Sequence, residues 1–322
     1  MFCSTAYYFE IKSEEVIDVQ TVKEKEKTDC GNLPEFKKRI GDFYQRIPLN
    51  DLIMKIVEGI HKLKKAKVDE YSNELKHEFT NEERIRAKLV DTYFSTIEEL
   101  KNAVGASQIQ LFIYLLGTWS ECSGAEEFHL EARDYFSKRG IAVRKGSKDR
   151  LERDLEILAA LSIQLQTKQR KQIEYIDSYL IQYQKERSGF YKIRFGSWIS
   201  HVSYRIFTLL HKSFFKLHPS HDSMSILLSI KLTQLAKLQF HKPLSSYSLK
   251  FHTLFSLLDI SYEQIRKQGY KYYFNQLENI FRRLNEEMGF ILKIDKEKGS
   301  FNSFMQNKLY YEQLELKQFY QR

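Results

Sequence analysis

Along this chain, apolar residues recur mostly at three- and four-residue intervals, the period of a helix face, and in a few short runs at every second position, the period of a strand. The change from one period to the other is sharpest in GIAVRKGSKDRLERDLEILAALSIQLQ, Gly140 to Gln166. Leu151, Leu155, Leu158 and Leu161 keep helical spacing, after which Ile163 and Leu165 alternate with Ser162, Gln164 and Gln166. The pattern predicts a helix over Ser147–Leu161, capped by Ser147 behind Gly146, that runs into a strand. Ahead of it, Ser107–Trp119 (Ile109, Phe112, Ile113, Leu116, Trp119) and Phe128–Lys138 (Leu130, Ala132, Tyr135, Phe136) read as two further helices. The first turns at Gly124 and the second ends at Gly140. Behind it, the polar turn TKQRK and the alternation of Tyr191, Ile193 and Phe195 in FYKIRFG predict a hairpin with a basic tip. Three helices and such a hairpin make a winged helix.

On either side the pattern stays largely helical. Residues 1–32 lean acidic, with a short strand near Tyr7–Ile11 and then a weakly ordered tail. Residues 33–105 read as a helical lead-in: Phe36, Ile40 and Phe43 share a face, and Leu52, Ile53, Ile56, Val57, Ile60 and Leu63 form a stripe after the start signal Pro48 and Asn50. HKLKKAKVDEYSNELKHEF extends that helix, and Thr80 with Glu83 has the spacing of a capping box for another, through Leu89, Val90, Tyr93, Phe94, Ile97 and Leu100 to Gly105. In the second half, Trp198–Phe215 reads as a connecting helix, HPSHD as a turn, Ser223–Phe240 as a deeply buried helix and Ser246–Leu258 as a short amphipathic one. Tyr270–Met288, with Phe274, Leu277, Phe281, Leu284 and Met288 on one face, passes at Gly289 into the strand FILKID. DLEILAALSIQL and QLENIFRRLNEEMGFIL thus follow one scheme about 120 residues apart, which points to two copies of one module. The tail KLYYEQLELKQFYQR completes a second wing or forms a closing helix. The expected fold class is mainly α with short β-hairpins (α+β): tail 1–32, helical segment 33–105, and winged-helix modules 106–196 and 197–322.

Composition narrows the function. The 322 residues are 42% apolar, enough for real cores, and 14% aromatic, while four Pro and thirteen Gly leave few breaks in the helices. A net charge of +9 asks for an anionic partner, and nucleic acid, an acidic membrane surface or a ribosome would each satisfy it. Cys3, Cys30 and Cys122 form no CxxC pair, so neither a disulfide framework nor a zinc site is suggested, and a reducing cytoplasm fits. Neither an export signal nor about 18 uninterrupted apolar residues is present, so no membrane role is expected. GxxxxGK[ST], HEXXH and GxSxG are also missing. His218 and His221 flank a proline turn without a carboxylate pattern to complete a metal site. His201 and Arg205 lack the His-x-x-Arg spacing of tyrosine recombinases. The expectation is no catalytic residue, no metal and no cofactor.

Candidate binding residues lie on helices and on the hairpin. Lys145, Lys148, Arg150 and Arg153 crowd the first turns of the Ser147–Leu161 helix, where cations oppose the helix dipole; a polyanion at that end would offset the cost, and a solvated charged face is the plainer alternative. On Tyr270–Met288 the face away from the core carries Lys271, Tyr272, Asn275, Asn279 and Arg282, donors suited to phosphates and to base edges. Lys168, Arg170 and Lys171, at the hairpin, would add backbone contacts or simply keep the tip soluble.

RLERDLEILAALSIQLQ in the first half, with SILLSIKLTQLAKLQF, SLKFHTLFSLLDI and YYFNQLENIFRRLNEEMGFILKID in the second, resembles the plasmid replication initiators built from two tandem winged helices. The likeness covers about Ser107 to Asp295 and lies in helix order and apolar spacing. The resemblance implies a non-enzymatic DNA-binding protein of the cytoplasm. Two recognition helices would enter successive major grooves about one turn apart on double-stranded DNA, at direct repeats of an origin. Oligomers on those repeats would open neighbouring A·T-rich DNA and recruit host replication proteins. It also implies a shift between monomer and homodimer in which the first module changes role. The segment before residue 105 and the stretch Gln172–Tyr191 depart from a compact pair of modules. Two other readings stand beside it: a transcriptional regulator or partition-type DNA-binding protein, and a helical scaffold that docks an acidic protein or RNA.

Overall fold

The computed structural model describes residues 6–7, 41–69, 71–80, 82–88, 94–169, 172–239, 248–295, 305 and 308–312, and in them helix and sheet are mixed, the α+β class expected. In chain order the elements begin with β1 (Ala6–Tyr7), β2 (Tyr44–Ile47), α1 (Asp51–Leu63), β3 (Lys67–Asp69), β4 (Glu74–Glu78), β5 (Arg84–Lys88), α2 (Ile97–Ala103) and α3 (Ala106–Glu121). There follow β6 (Glu127–Glu131), α4 (Ala132–Arg139), α5 (Lys145–Ala159), β7 (Leu161–Gln169), β8 (Gln172–Tyr179), β9 (Ile181–Arg187), β10 (Phe190–Phe195), β11 (Thr208–His211) and α6 (Ser223–Gln239). The chain closes with β12 (Ser248–Lys250), α7 (Phe251–Leu257), α8 (Tyr262–Gln268), α9 (Tyr270–Met288), β13 (Ile291–Asp295) and β14 (Lys308–Glu312). Two units emerge, one of Arg46–Lys237 with Leu257–Asp259, the other of Met1–Gln45, Leu238–Ser256 and Ile260–Arg322.

In the larger unit, Asn50 caps α1 by accepting from the Ile53 N–H at 2.9 Å, and the apolar stripe of α1 is buried as expected. The charged continuation is not helical. Residues 67–69, 74–78 and 84–88 alternate in burial, and they form the antiparallel strands β3, β4 and β5. The expected helix behind Thr80 is absent over residues 82–88: the Thr80 hydroxyl does accept from the Glu83 N–H at 3.0 Å, but as part of a turn between β4 and β5. Leu75, Ile85 and Ala87 are buried while Arg84 and Arg86 lie on the other face, a period of two that overrides the capping signal. Helix resumes only at α2; Leu89, Val90 and Tyr93 lie outside the described residues.

Those three strands join β7 and β8 in one antiparallel sheet of order β3-β4-β5-β7-β8. Strands from both stretches of sequence that departed from a compact module, β3, β4 and β5 from one and β8 from the other, therefore belong to the same sheet, while β9 and the start of β10 belong to another. The expected alternation of Ile163 and Leu165 with Ser162, Gln164 and Gln166 is the alternation of the buried and open faces of β7.

A second sheet of the larger unit has the order β6-β10-β9. Phe128 and Leu130, expected in a helix, lie on β6 and alternate with Glu127, His129 and Glu131, so only Ala132–Arg139 is helical. Trp198–Phe215 is likewise not one helix: two 3-10 turns, Ser197–His201 and Lys212–Lys216, flank β11. The joint between the two sheets is tightly built. A Cβ on Gly196 would lie 2.0 Å from the Tyr179 carbonyl oxygen, which excludes any side chain there, and the Ser197 N–H donates to Ser178 Oγ at 2.9 Å. Trp198 is fully buried and donates from Nε1 to the Leu180 carbonyl at 2.9 Å. Its ring packs against Phe195 and Phe112, at centroid distances of 5.2 and 5.8 Å.

One buried charge ties α5 to α3. Asp154 accepts from Ser107 Oγ at 2.5 Å and Gln108 Nε2 at 2.6 Å. Burial pushes its carboxyl up to about 6, against the lowering effect of the Ser107 hydrogen bond. A folded-state pKa above the unfolded value stabilises the protein most below about pH 4, and that contribution falls away as pH rises through about 6. Across pH 4 to 7 the unfolding free energy of Asp154→Asn, read from urea titrations, should therefore stay level where that of the wild type declines, by an amount on the order of 3 kcal/mol.

In the smaller unit the sheet order is β1-β13-β14-β12. Ala6 and Tyr7 pair with Asp295 and Ile294, which places the short N-terminal strand; the rest of 1–32 lies outside the described residues. Ser246–Leu258 is strand and then helix, β12 and α7, with residues 246 and 247 outside the described set. The beginning of the tail forms β14, antiparallel to β13, and residues 313–322 lie outside the described set. Helix α9 matches its expected span, and the chain turns at Gly289 into β13.

The three-stranded sheet of the larger unit and the four-stranded sheet of the smaller unit share one plan. In the first, β6 leads through α4 and α5 to β9 and β10, in the order β6-β10-β9; in the second, β12 leads through α7, α8 and α9 to β13 and β14, in the order β12-β14-β13. In both, the last strand is central and antiparallel to its two neighbours. They differ in the β7–β8 pair, which lies between helix and sheet in the larger unit only, in the third helix of the smaller unit, and in β1, which adds an edge strand there.

Candidate nucleic-acid interface

Helix α5 starts before the position where the sequence pattern places its cap. Arg144 occupies the N-cap, and Ser147 sits inside the first turn, where its hydroxyl accepts from the Arg144 N–H at 2.8 Å. Leu151, Asp154, Leu155 and Leu158 face the interior. At about 100° per residue, Lys145 and Lys148 lie about 60° apart on the helix, as do Arg150 and Arg153, but Lys148 and Arg150 lie about 160° apart. The four expected cations therefore form two pairs. Arg150 and Arg153 are exposed on one flank, with the Arg153 guanidinium 5.2 Å from the Phe94 ring centroid. Lys148 turns the other way, its ammonium 3.3 Å from Ser188 Oγ.

Ser188 and Gly189 are the tip of the β9–β10 hairpin, since Arg187 pairs with Phe190. Gly189 has a φ of +82°, a conformation that side chains resist. The hairpin is fastened to α5 by carboxylates: Glu152 takes Lys185 at 2.7 Å and the Tyr191 hydroxyl at 2.9 Å, and Glu156 accepts from the Tyr183 hydroxyl. At its base, Lys192 pairs with Glu127 at 2.6 Å and Arg194 with Glu126. The tip has no such compensation. Among the described residues, Arg144, Lys145, Lys148 and Arg187 make no ion pair, and Arg187 lies with its guanidinium 3.8 Å from the Phe190 ring centroid. Cations are neutralised at the foot of the hairpin and left open where it meets the start of α5.

This cluster replaces part of the expected one. Lys145 and Lys148 belong to it, with Arg144 and Arg187, which the sequence pattern alone does not single out. Lys168 lies on β7, opposite Ile173 in the larger sheet, and Arg170 and Lys171 lie outside the described residues. A signal for Arg187 is present in ERSGFYKIRF, where Ser-Gly between two alternating runs marks a tight hairpin.

Helix α9 brings its five residues together. Tyr273, Leu277, Ile280, Phe281, Leu284 and Met288 are buried, and Lys271, Tyr272, Asn275, Asn279 and Arg282 are all exposed, within about 100° of one another around the axis. Arg282 donates to Asn279 Oδ1 at 3.1 Å, and the Tyr272 hydroxyl accepts from Gln276 Nε2 at 2.7 Å. The neighbouring Arg283, in contrast, is held by Glu287 at 2.9 Å. The face therefore offers two cations without an ion pair among the described residues, two amides and a phenol.

No helix among the described residues is long and apolar enough to cross a membrane. No group of three His, Cys, Asp or Glu side chains among them is placed to hold a metal ion.

No family model and no curated protein matches this sequence. Among solved structures, the chain is similar to domains 2 and 3 of RctB in selenomethionine form, at 11% identity and a TM-score of 0.43, over 80% of this chain and 98% of that one. A second structure, RctB residues 155–483, gives 13% identity and a TM-score of 0.40, over 78% of this chain and 95% of that one. A superposition this loose says nothing about function.

Proposed function

We propose that this chain is a sequence-specific double-stranded DNA-binding protein built on two winged helices, with α5 and the β9–β10 hairpin as recognition helix and wing of the first, and α9 and the β13–β14 pair as those of the second. The observation that carries the reading is the recurrence of one strand order behind two helices that both expose cations free of ion pairs among the described residues. A single polar helix face is common on any protein surface. Two on the same topological plan are what a reader of two DNA segments requires. Lysines and arginines of the first cluster suit phosphates, and Asn275, Asn279 and Arg282 add groups able to discriminate base edges. The activity is one of binding, without a catalytic residue.

The initiator reading adds that the two segments are repeats at an origin and that host replication proteins are recruited there; it rests on the sequence resemblance. Selection of duplexes from a random pool at physiological salt tests the binding claim. Recovery of a consensus supports it, and a pool no more enriched than that of an unrelated basic protein overturns it.

A further inference from the structure

We propose that the turn between α4 and α5 reads the 5-methyl groups of thymines in the major groove, through Ile141 and Val143. The inference rests on the duplex reading above and names the base chemistry that the first unit selects. Every residue from Gly140 to Gly146 is exposed, with Ile141 at 38% and Val143 at 44%. Two branched aliphatic side chains so close together on a turn leave apolar surface in water that a partner would cover.

The local structure has little use for either side chain. Helix α4 closes at Gly140, with a φ of +65°: the Gly140 N–H donates to the Ser137 carbonyl at 3.1 Å and the Ile141 N–H to the Phe136 carbonyl at 2.9 Å. That closure uses the backbone of Ile141, and although an apolar residue in its place often packs back over the last turn, this one stays exposed. Val143 stands just before the N-cap of α5, where the usual duty of an apolar side chain is to pack on the fourth residue of the helix. That residue is Lys148, whose ammonium turns to Ser188 instead. The turn is nevertheless fixed in place. The Ser147 hydroxyl accepts from the Arg144 N–H at 2.8 Å and donates to the Ala142 carbonyl at 3.1 Å, which holds Val143 directly ahead of Arg144 and Lys145.

The neighbours select the occupant. Arg144 and Lys145 follow at once, Lys148 stands beside the tip of the hairpin, and none of the three makes an ion pair among the described residues. In the major groove a thymine methyl is the apolar feature of the base edges, and phosphates line both rims. Aliphatic side chains next to open cations match that pattern, whereas an apolar protein surface would leave the cations uncompensated. The smaller unit has no such aliphatic pair: α8 and α9 meet at Gly269, between Gln268 and Tyr270, and the open face of α9 offers amides and a guanidinium. The two segments of the site should therefore differ in their dependence on thymine methyl groups.

The test takes the duplex selected by the wild type and rebuilds it with deoxyuridine for thymidine, one segment at a time, which removes the methyl groups and keeps the pairing. Burying one methyl is worth about fourfold in affinity, so the wild type should bind the thymidine form about four- to tenfold tighter when the exchanged segment is the one that fades in Lys148→Ala/Arg187→Ala. Ile141→Ser/Val143→Ser should bind both forms alike, at the wild-type affinity for the uridine form and with the wild-type salt slope, because no phosphate contact is touched. Ile141→Leu/Val143→Ile should keep the preference. Equal binding of the two forms by the wild type, or a first segment without thymine, would overturn the proposal. So would a preference that survives in the serine pair, which would trace it to the shape of the duplex. Each of these results leaves duplex binding standing, whereas recovery of no consensus at all ends both readings, so the two failures are distinguishable.

Discussion

Replacing Lys271 and Arg282 together with alanine should lower affinity for target duplex about a hundredfold at physiological salt. Each is an exposed cation on the open face of α9 without an ion pair among the described residues, and a good base or phosphate interaction is worth roughly 1–3 kcal/mol. The salt dependence should flatten as well, the slope of log K against log salt falling by about 0.9 for each phosphate that the variant no longer neutralises. Stability should move by less than about 0.5 kcal/mol, since neither side chain is buried. Lys148→Ala/Arg187→Ala is the matching pair in the first unit. Full retention of affinity in both pairs, read by anisotropy over a salt series, would contradict duplex binding by these faces.

Trp198→Ala should cost about 3–5 kcal/mol, a large part of a typical domain's stability. The indole fills the joint between the two sheets of the larger unit, against Phe112 and Phe195, and its N–H satisfies the Leu180 carbonyl. Alanine opens a cavity and removes that donor together. Trp198→Phe keeps most of the ring packing and should lose less, so the difference between the two reports the hydrogen bond and the missing ring volume. Denaturant midpoints check both, and an alanine variant within about 1 kcal/mol of the wild type would mean that the joint does not hold the sheets.

Where burial on one face dominates, the sequence is readable. The stripes of α1, α5 and α9 lie within a few residues of their expected spans, as does α3, which is buried on nearly every side, and the α9 face is legible because a 19-residue helix with a single buried side leaves no doubt which residues face outward. Mixed signals mislead. Phe128 and Leu130 sit two apart just before a true helix, and their period merges into it; KVD, ELKHE and RIRAK are so charged that helix propensity and a capping-box spacing outweigh short alternation. Strand pairing is nonlocal, so nothing near Gln172 announces that β7 and β8 join strands from residues 67–88 while the wing comes later, at Ser188 and Gly189. That is also why the sequence pattern points to a basic tip at Lys168, Arg170 and Lys171, and why Arg187 does not stand out in it.

Selection from a random duplex pool, followed by sequencing, tests the two-reader account most directly when the wild type is run beside Lys148→Ala/Arg187→Ala and Lys271→Ala/Arg282→Ala. The account predicts a consensus of two segments in the wild type, one segment fading with each variant. A consensus that neither variant alters, or none at all above the background of an unrelated protein of charge +9, would contradict it.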